Sequence, residues 1–112
     1  PLVLFPSEGG VLVEEVESRL LTALSAALLA GQKTGAIVSA EMAPLLPAGV
    51  TVAVYGSRER QGETAAGLYE ALRFFDAHPV DVIFAEGVRE EGIGRALMNR
   101  LYKAASSVGE GQ

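Results

Sequence analysis

Gly87, Gly92 and Gly94, interleaved with Glu86, Glu90 and Glu91, form the segment of this chain whose residue types best suit chemistry. The glycines permit a tight turn and a close approach of backbone to a ligand. A helix beginning at Gly92 would present unpaired N–H groups able to hold a phosphate or a carboxylate. The glutamates argue the other way, because acidic side chains at a helix N-terminus already complement its dipole and its donors. That structural reading is the favoured one. No P-loop pattern G-x-x-x-x-G-K-S/T occurs, and the first turn, PSEGG, lacks the dinucleotide pattern G-x-G-x-x-G.

The remaining polar residues are weaker candidates. Arg58-Glu59-Arg60 is the one compact basic cluster. As a phosphate clamp it would be well placed after a strand, but Glu59 and the nearby Glu63 favour a solvated loop. His78 has no cysteine and no second histidine to join it, so neither a zinc-ligand set nor a serine–histidine–acid arrangement can be assembled. Glu14, Glu15 and Glu17 read as the wet face of a helix. Tyr55, Tyr69 and Tyr102 fall on three different elements and make no stacking platform for bases. On a helical wheel Arg100 shares the apolar arc of Ile93, Leu97 and Leu101, which calls for an internal ion pair or a stem laid on the core. Asn99 lies off that arc and is free for an interface. Gly87, Glu90, Gly92, Gly94 and Asn99 are therefore the candidates for an interface or ligand edge, with no catalytic residue and no metal ligand nominated.

The elements that must position these residues alternate. Residues 2–5 are an apolar run between two prolines and predict a strand buried on both faces. A helix follows over 11–30, where Leu12, Val16, Leu20, Leu24 and Leu28 recur every four residues and Gly31 supplies the stop. Residues 36–40 and 50–55 predict the second and third strands. The nine residues between them fall short of the dozen or so that a helical parallel crossover takes, so a bare loop with one helical turn is expected. A second helix over 62–77 carries Ala65, Leu68, Tyr69, Leu72 and Phe75 on one face and ends before Pro79. A fourth strand at 82–85 and a last helix at 92–105 complete the pattern, and 106–112 reads as a frayed tail. The expectation is an α/β fold: a Rossmann-like three-layer open sheet, mostly parallel, of about four strands with helices on both faces. In such sheets ligands sit beyond the C-terminal ends of the strands, here the loops 6–10, 56–61 and 87–91.

Composition bounds the rest. With 112 residues, 49% of them hydrophobic, the chain can bury one ordinary core, and a single domain is expected. No apolar run approaches the roughly 18 residues of a membrane span. Fourteen acidic against nine basic residues give a net charge of −5, which speaks against a broad surface for neutralising nucleic-acid phosphates. The absence of cysteine removes disulfides and fits a reducing cytosol. No signal-peptide pattern is present, and a start at Pro1 suggests a fragment or an excised domain.

The stretches LYEALRFFD (68–76) and DVIFAEGVREEGIGRALMNRLYKAA (81–105) resemble the C-terminal domain of L-threonylcarbamoyladenylate synthase, the Sua-five branch of the YrdC family. The resemblance implies a pathway, tRNA threonylcarbamoyladenosine formation. It also implies that the chemistry belongs to a YrdC-like N-terminal domain that binds ATP, threonine and bicarbonate, with magnesium implied alongside ATP. None of that domain's motifs can be matched here, so no catalytic residue is transferred. The implied role is that of a cytoplasmic accessory domain with no cofactor of its own. Its partner would be the N-terminal domain of the same protein, direct tRNA binding is not expected, and an oligomer is compatible with the pattern. Two other readings stay open: an independent nucleotide-binding regulatory module, and a structural or dimerisation domain marked by exposed apolar patches on the sheet edge.

Overall fold

The computed structural model describes residues 2–5, 13–59, 61–87 and 107–108. In chain order these are β1 (Leu2–Phe5), α1 (Val13–Leu29), β2 (Thr34–Ser39), a 3-10 turn (Ala43–Leu45), β3 (Thr51–Gly56), α2 (Gln61–Ala77), β4 (Val82–Glu86) and β5 (Ser107–Val108). The helix expected at 92–105, Arg100 within it, and most of the acidic glycine turn lie outside the described residues.

The strands form one sheet in the order β3-β2-β4-β1-β5, and every pairing is parallel. From β1 the chain passes through α1 to β2, crossing β4; from β3 it passes through α2 back to β4, crossing β2 in the opposite direction. Right-handed crossovers running in opposite directions put their helices on opposite faces. The core divides accordingly. Phe5, Ala36, Val38 and Phe84 meet Val16, Leu20 and Leu24 of α1, whereas Leu4, Ile37, Tyr55 and Ala85 meet Leu68, Ala71 and Phe75 of α2. Successive strand residues point to opposite faces, so a strand covered on both sides is buried at every position, with any polar side chain hydrogen-bonded. All six residues of β2 are buried for this reason.

Between β2 and β3 the chain makes the single helical turn expected of so short a connection, with Pro44 within it, and Met42, Ala43 and Leu46 pack on the α1 side. The stripe of α1 drifts from the four-residue spacing read in the sequence. Val16, Leu20 and Leu24 are buried but the next buried residue is Ala27, as a 3.6-residue period requires, and Leu28 is only half-buried. The helix ends where Gly31 was expected to stop it, with Gly31 N bonded to Leu28 O and Gln32 N to Ala27 O, both at 3.0 Å.

Two expectations are corrected. Tyr69 does not belong to the buried face of α2; Ala71 takes that place, and the Tyr69 ring is exposed with the Arg73 guanidinium 5.8 Å from its centroid. The tail expected at 106–112 contains β5, where Ser107 and Val108 pair with Val3 and Leu4. Two residues are too short to carry a sequence signal, and this strand is specified by the partner edge that β1 offers it.

Candidate functional site

The parallel strands all present their C-terminal ends on one edge of the sheet, and there β2 and β3 leave toward opposite faces. The loop after β2 packs on the α1 side, while β3 leads into α2 on the other. Such a divergence opens a crevice, the usual ligand position in doubly wound sheets. Here side chains of this chain occupy it.

Glu86, the last residue of β4, is 4% exposed. By strand alternation it follows Val82 and Phe84 onto the α1 side. Its Oε1 accepts hydrogen bonds from the backbone N and the Oγ of Ser39, both at 2.9 Å. Its Oε2 accepts from Arg58 Nε at 2.7 Å, and Arg58 Nη2 donates to Glu17 Oε2 of α1 at 2.9 Å. A buried carboxylate held by one charged and two neutral donors has both oxygens hydrogen-bonded. Gly56, at φ 129°, permits the turn out of β3 that carries Ser57 and Arg58 into place. A register shift between Val38 and Ser39 brings Ser39 opposite Gly56, and Ala40 N donates to Gly56 O at 2.9 Å.

A second carboxylate fastens the same two loops. Glu41 accepts from Arg58 N at 2.9 Å and from Ser57 Oγ at 2.7 Å. These two hydrogen bonds, the backbone one foremost, hold its carboxyl below the ordinary 4.5. A depressed folded-state pKa contributes stability that is present above 4.5 and lost as pH falls through the folded value. Glu41→Gln is therefore expected to flatten the acid side of a stability-against-pH profile and to leave its alkaline side unchanged. Urea midpoints measured between about pH 2.5 and 7 decide the matter, and parallel profiles for the two proteins would refute it.

The charge of Arg58 is committed internally. Burial pulls the guanidinium pKa down, but the hydrogen bonds and negative charges of Glu86 and Glu17 outweigh it and the net shift is upward. To clamp a phosphate, as weighed from the sequence, Arg58 would have to leave two carboxylates. The solvated loop expected for Arg58 and the wet face expected for Glu17 are both corrected: the two residues pair with each other and are half-buried. Tyr55, the penultimate residue of β3, lies beside this network on the α2 side. Burial first, and then the negative charge of Glu86, push its phenol far above the usual range. Its hydroxyl is buried, lies outside hydrogen-bonding geometry with Ser39, and is the one such side-chain atom without a partner among the described residues.

Of the residues nominated from sequence, Gly87 is buried at this same edge, and its N donates to Phe5 O at 2.9 Å, continuing the β4–β1 ladder. Glu90, Gly92, Gly94 and Asn99 lie outside the described residues. His78, at the end of α2, stacks on Phe74 at 4.1 Å and bonds Phe74 O through Nδ1. Among the described residues no cluster of three or more His, Cys, Asp or Glu is placed to hold a metal, and no helix is long and apolar enough to cross a membrane.

The family model for "Threonylcarbamoyl-AMP synthase, C-terminal domain" matches residues 5–106. The chain belongs to this family. Among curated proteins it is 44% identical over 75 residues to a threonylcarbamoyl-AMP synthase of Bacillus subtilis, covering 67% of this chain and 21% of the relative. It is 58% identical over 43 residues to that of Pyrococcus abyssi, covering 38% and 13%. Two solved structures of P. abyssi Sua5 superpose on 96% of the chain. One is a doubly substituted variant (TM-score 0.73, 32% identity) and the other a complex with L-threonine (TM-score 0.75, 31% identity). The chain spans about a fifth of the B. subtilis relative and under a third of the solved P. abyssi chains. In these family members the matched domain is one part of a much longer protein.

Proposed function

We propose that this chain is the accessory C-terminal domain of a cytoplasmic threonylcarbamoyl-AMP synthase and is not catalytic alone. A YrdC-like N-terminal domain of the same protein binds ATP with magnesium, L-threonine and bicarbonate and forms threonylcarbamoyl-AMP and pyrophosphate, the activated group used to modify adenosine in tRNA. The family match over nearly the whole chain carries this reading. The sheet edge supports it, because the crevice where a doubly wound fold takes a ligand is tied shut by Arg58, Glu86, Ser39 and Glu41. The segment after Gly87, with Glu90, Gly92, Gly94 and Asn99, is the surface assigned to the partner domain.

Calorimetric titration of the chain with ATP and magnesium, with and without threonine, is expected to give no saturable heat. Saturable binding near one site per chain would replace this reading with that of an independent nucleotide-binding module. A positive counterpart is a B. subtilis synthase whose own C-terminal domain is exchanged for this chain. Threonylcarbamoyl-AMP formation above that of the truncated enzyme is expected, with loss on substitution of Gly94 and Asn99 together.

A further inference from the structure

β3 ends the sheet, pairing only with β2 among the described residues, so its outer row of backbone donors and acceptors faces away from the sheet. Natural edge strands are blunted by charges, prolines or bulges on their free side. The six residues of β3, TVAVYG, contain neither a charge nor a proline, and the one irregularity, which leaves Tyr55 without a β2 partner, lies at the C-terminal end of the strand, past Thr51–Val54. α1 packs chiefly on β4, β1 and β2, so among the described residues no helix packs closely over the α1 side of β3. Val52 and Val54 point to that side and are 37% and 46% exposed, and Leu45 of the neighbouring 3-10 turn is 50% exposed. An uncharged edge flanked by exposed aliphatic side chains is a surface built for pairing.

The pattern of β3 selects its occupant. We propose that two copies of this chain pair antiparallel through β3, joining their sheets into one ten-stranded sheet. With the two-fold axis at Ala53, Val52 of each copy lies opposite Val54 of the other and Thr51 lies opposite Tyr55, so the strand complements itself. The net charge of −5 opposes association in general, but none of it sits on β3. In this register Arg58 lies opposite Ala48 and Glu59 opposite Pro47, so no like charges are brought together and the Arg58 ion pairs stay intact. One strand edge and three aliphatic side chains make a small interface, which corresponds to a weak dimer with a dissociation constant of roughly 10–100 µM.

Sedimentation equilibrium of the chain from about 5 to 500 µM reads this directly. The average mass is expected to rise from 11.7 kDa toward twice that value. Val54→Lys, at an exposed position, is expected to weaken association at least tenfold with an unchanged circular dichroism spectrum. Should that variant fail to fold, Val54→Thr keeps the branched shape and is expected to weaken association about threefold. A monomer at every concentration, or a dimer indifferent to both substitutions, overturns the proposal. So does protection of the β3 amides by an added catalytic domain but not by rising concentration of the chain, which would assign the edge to that domain. None of these outcomes depends on the nucleotide titration, so the dimer and the accessory role can fail separately.

Discussion

Arg58→Ala is expected to lower the unfolding free energy by about 2–4 kcal/mol, the largest loss of any single ion-pair substitution in the described fold. The reason is what remains behind. Glu86 stays buried with only the Ser39 donors, and Glu17 loses its partner at the rim. Removing one member of a buried pair costs more than the pair was worth, because the desolvated survivor is uncompensated. Two considerations keep this below the roughly 3–5 kcal/mol of a fully buried pair. The Arg58 side chain is 26% exposed, so water can enter to Glu86, and Glu86 keeps two neutral hydrogen bonds. Urea unfolding should show a lower midpoint at an unchanged slope. Arg58→Lys is expected to recover less than half of the loss, since one ammonium cannot reproduce the planar fork that reaches both carboxylates. A double-mutant cycle with Glu86→Gln isolates the pair: coupling below about 0.5 kcal/mol would show that the clamp holds nothing.

Gly67→Ala is expected to destabilise the chain by about 2–3 kcal/mol, although alanine is the better helix former by about 1 kcal/mol. Gly67 faces β3 at the point where α2 crosses it, and a Cβ built there would collide with the carbonyl oxygen and carbon of Tyr55. Backbone is the obstacle, so no rotamer change relieves the clash; α2 must lift away from β3 and loosen Leu68 and Ala71 from Tyr55. The thermal midpoint should fall by roughly 10 °C. A variant as stable as the parent, or more stable, would show that helix and strand are not in close contact there.

Most of the described architecture is legible in the sequence because it is written in periodicity. The short, mostly apolar strands, the leucine stripe of the first helix, the glycine that ends it and the one-turn connection before the third strand were all expected. Strand order was not, since every strand is comparably apolar and no pairwise signal distinguishes one neighbour from another. Tyr69 was misplaced because a tyrosine reads as apolar by composition, yet the position lies off the arc that meets the sheet. The Arg58–Glu86 network escaped for a different reason. Its members come from α1, the loop after β2, the turn after β3 and the end of β4, up to 69 residues apart between Glu17 and Glu86, and ion pairing has no period to detect. One local clue exists: Glu86 prolongs the apolar run VIFA, and a charge continuing a buried strand demands a partner.

The position of β1 between β4 and β5 dictates an order of assembly. β2 pairs with both β3 and β4, and these three strands can zip together with α2 from a contiguous middle section. The first strand made finds its partner only when Val82–Glu86 exists, closing a loop of nearly the whole described chain. Such closure is slow and late. During synthesis β1 must therefore wait, unpaired and apolar, until Val82–Glu86 has followed it out of the ribosome. Substitutions at the β1–β4 seam should accordingly quicken unfolding while scarcely touching the rate of refolding.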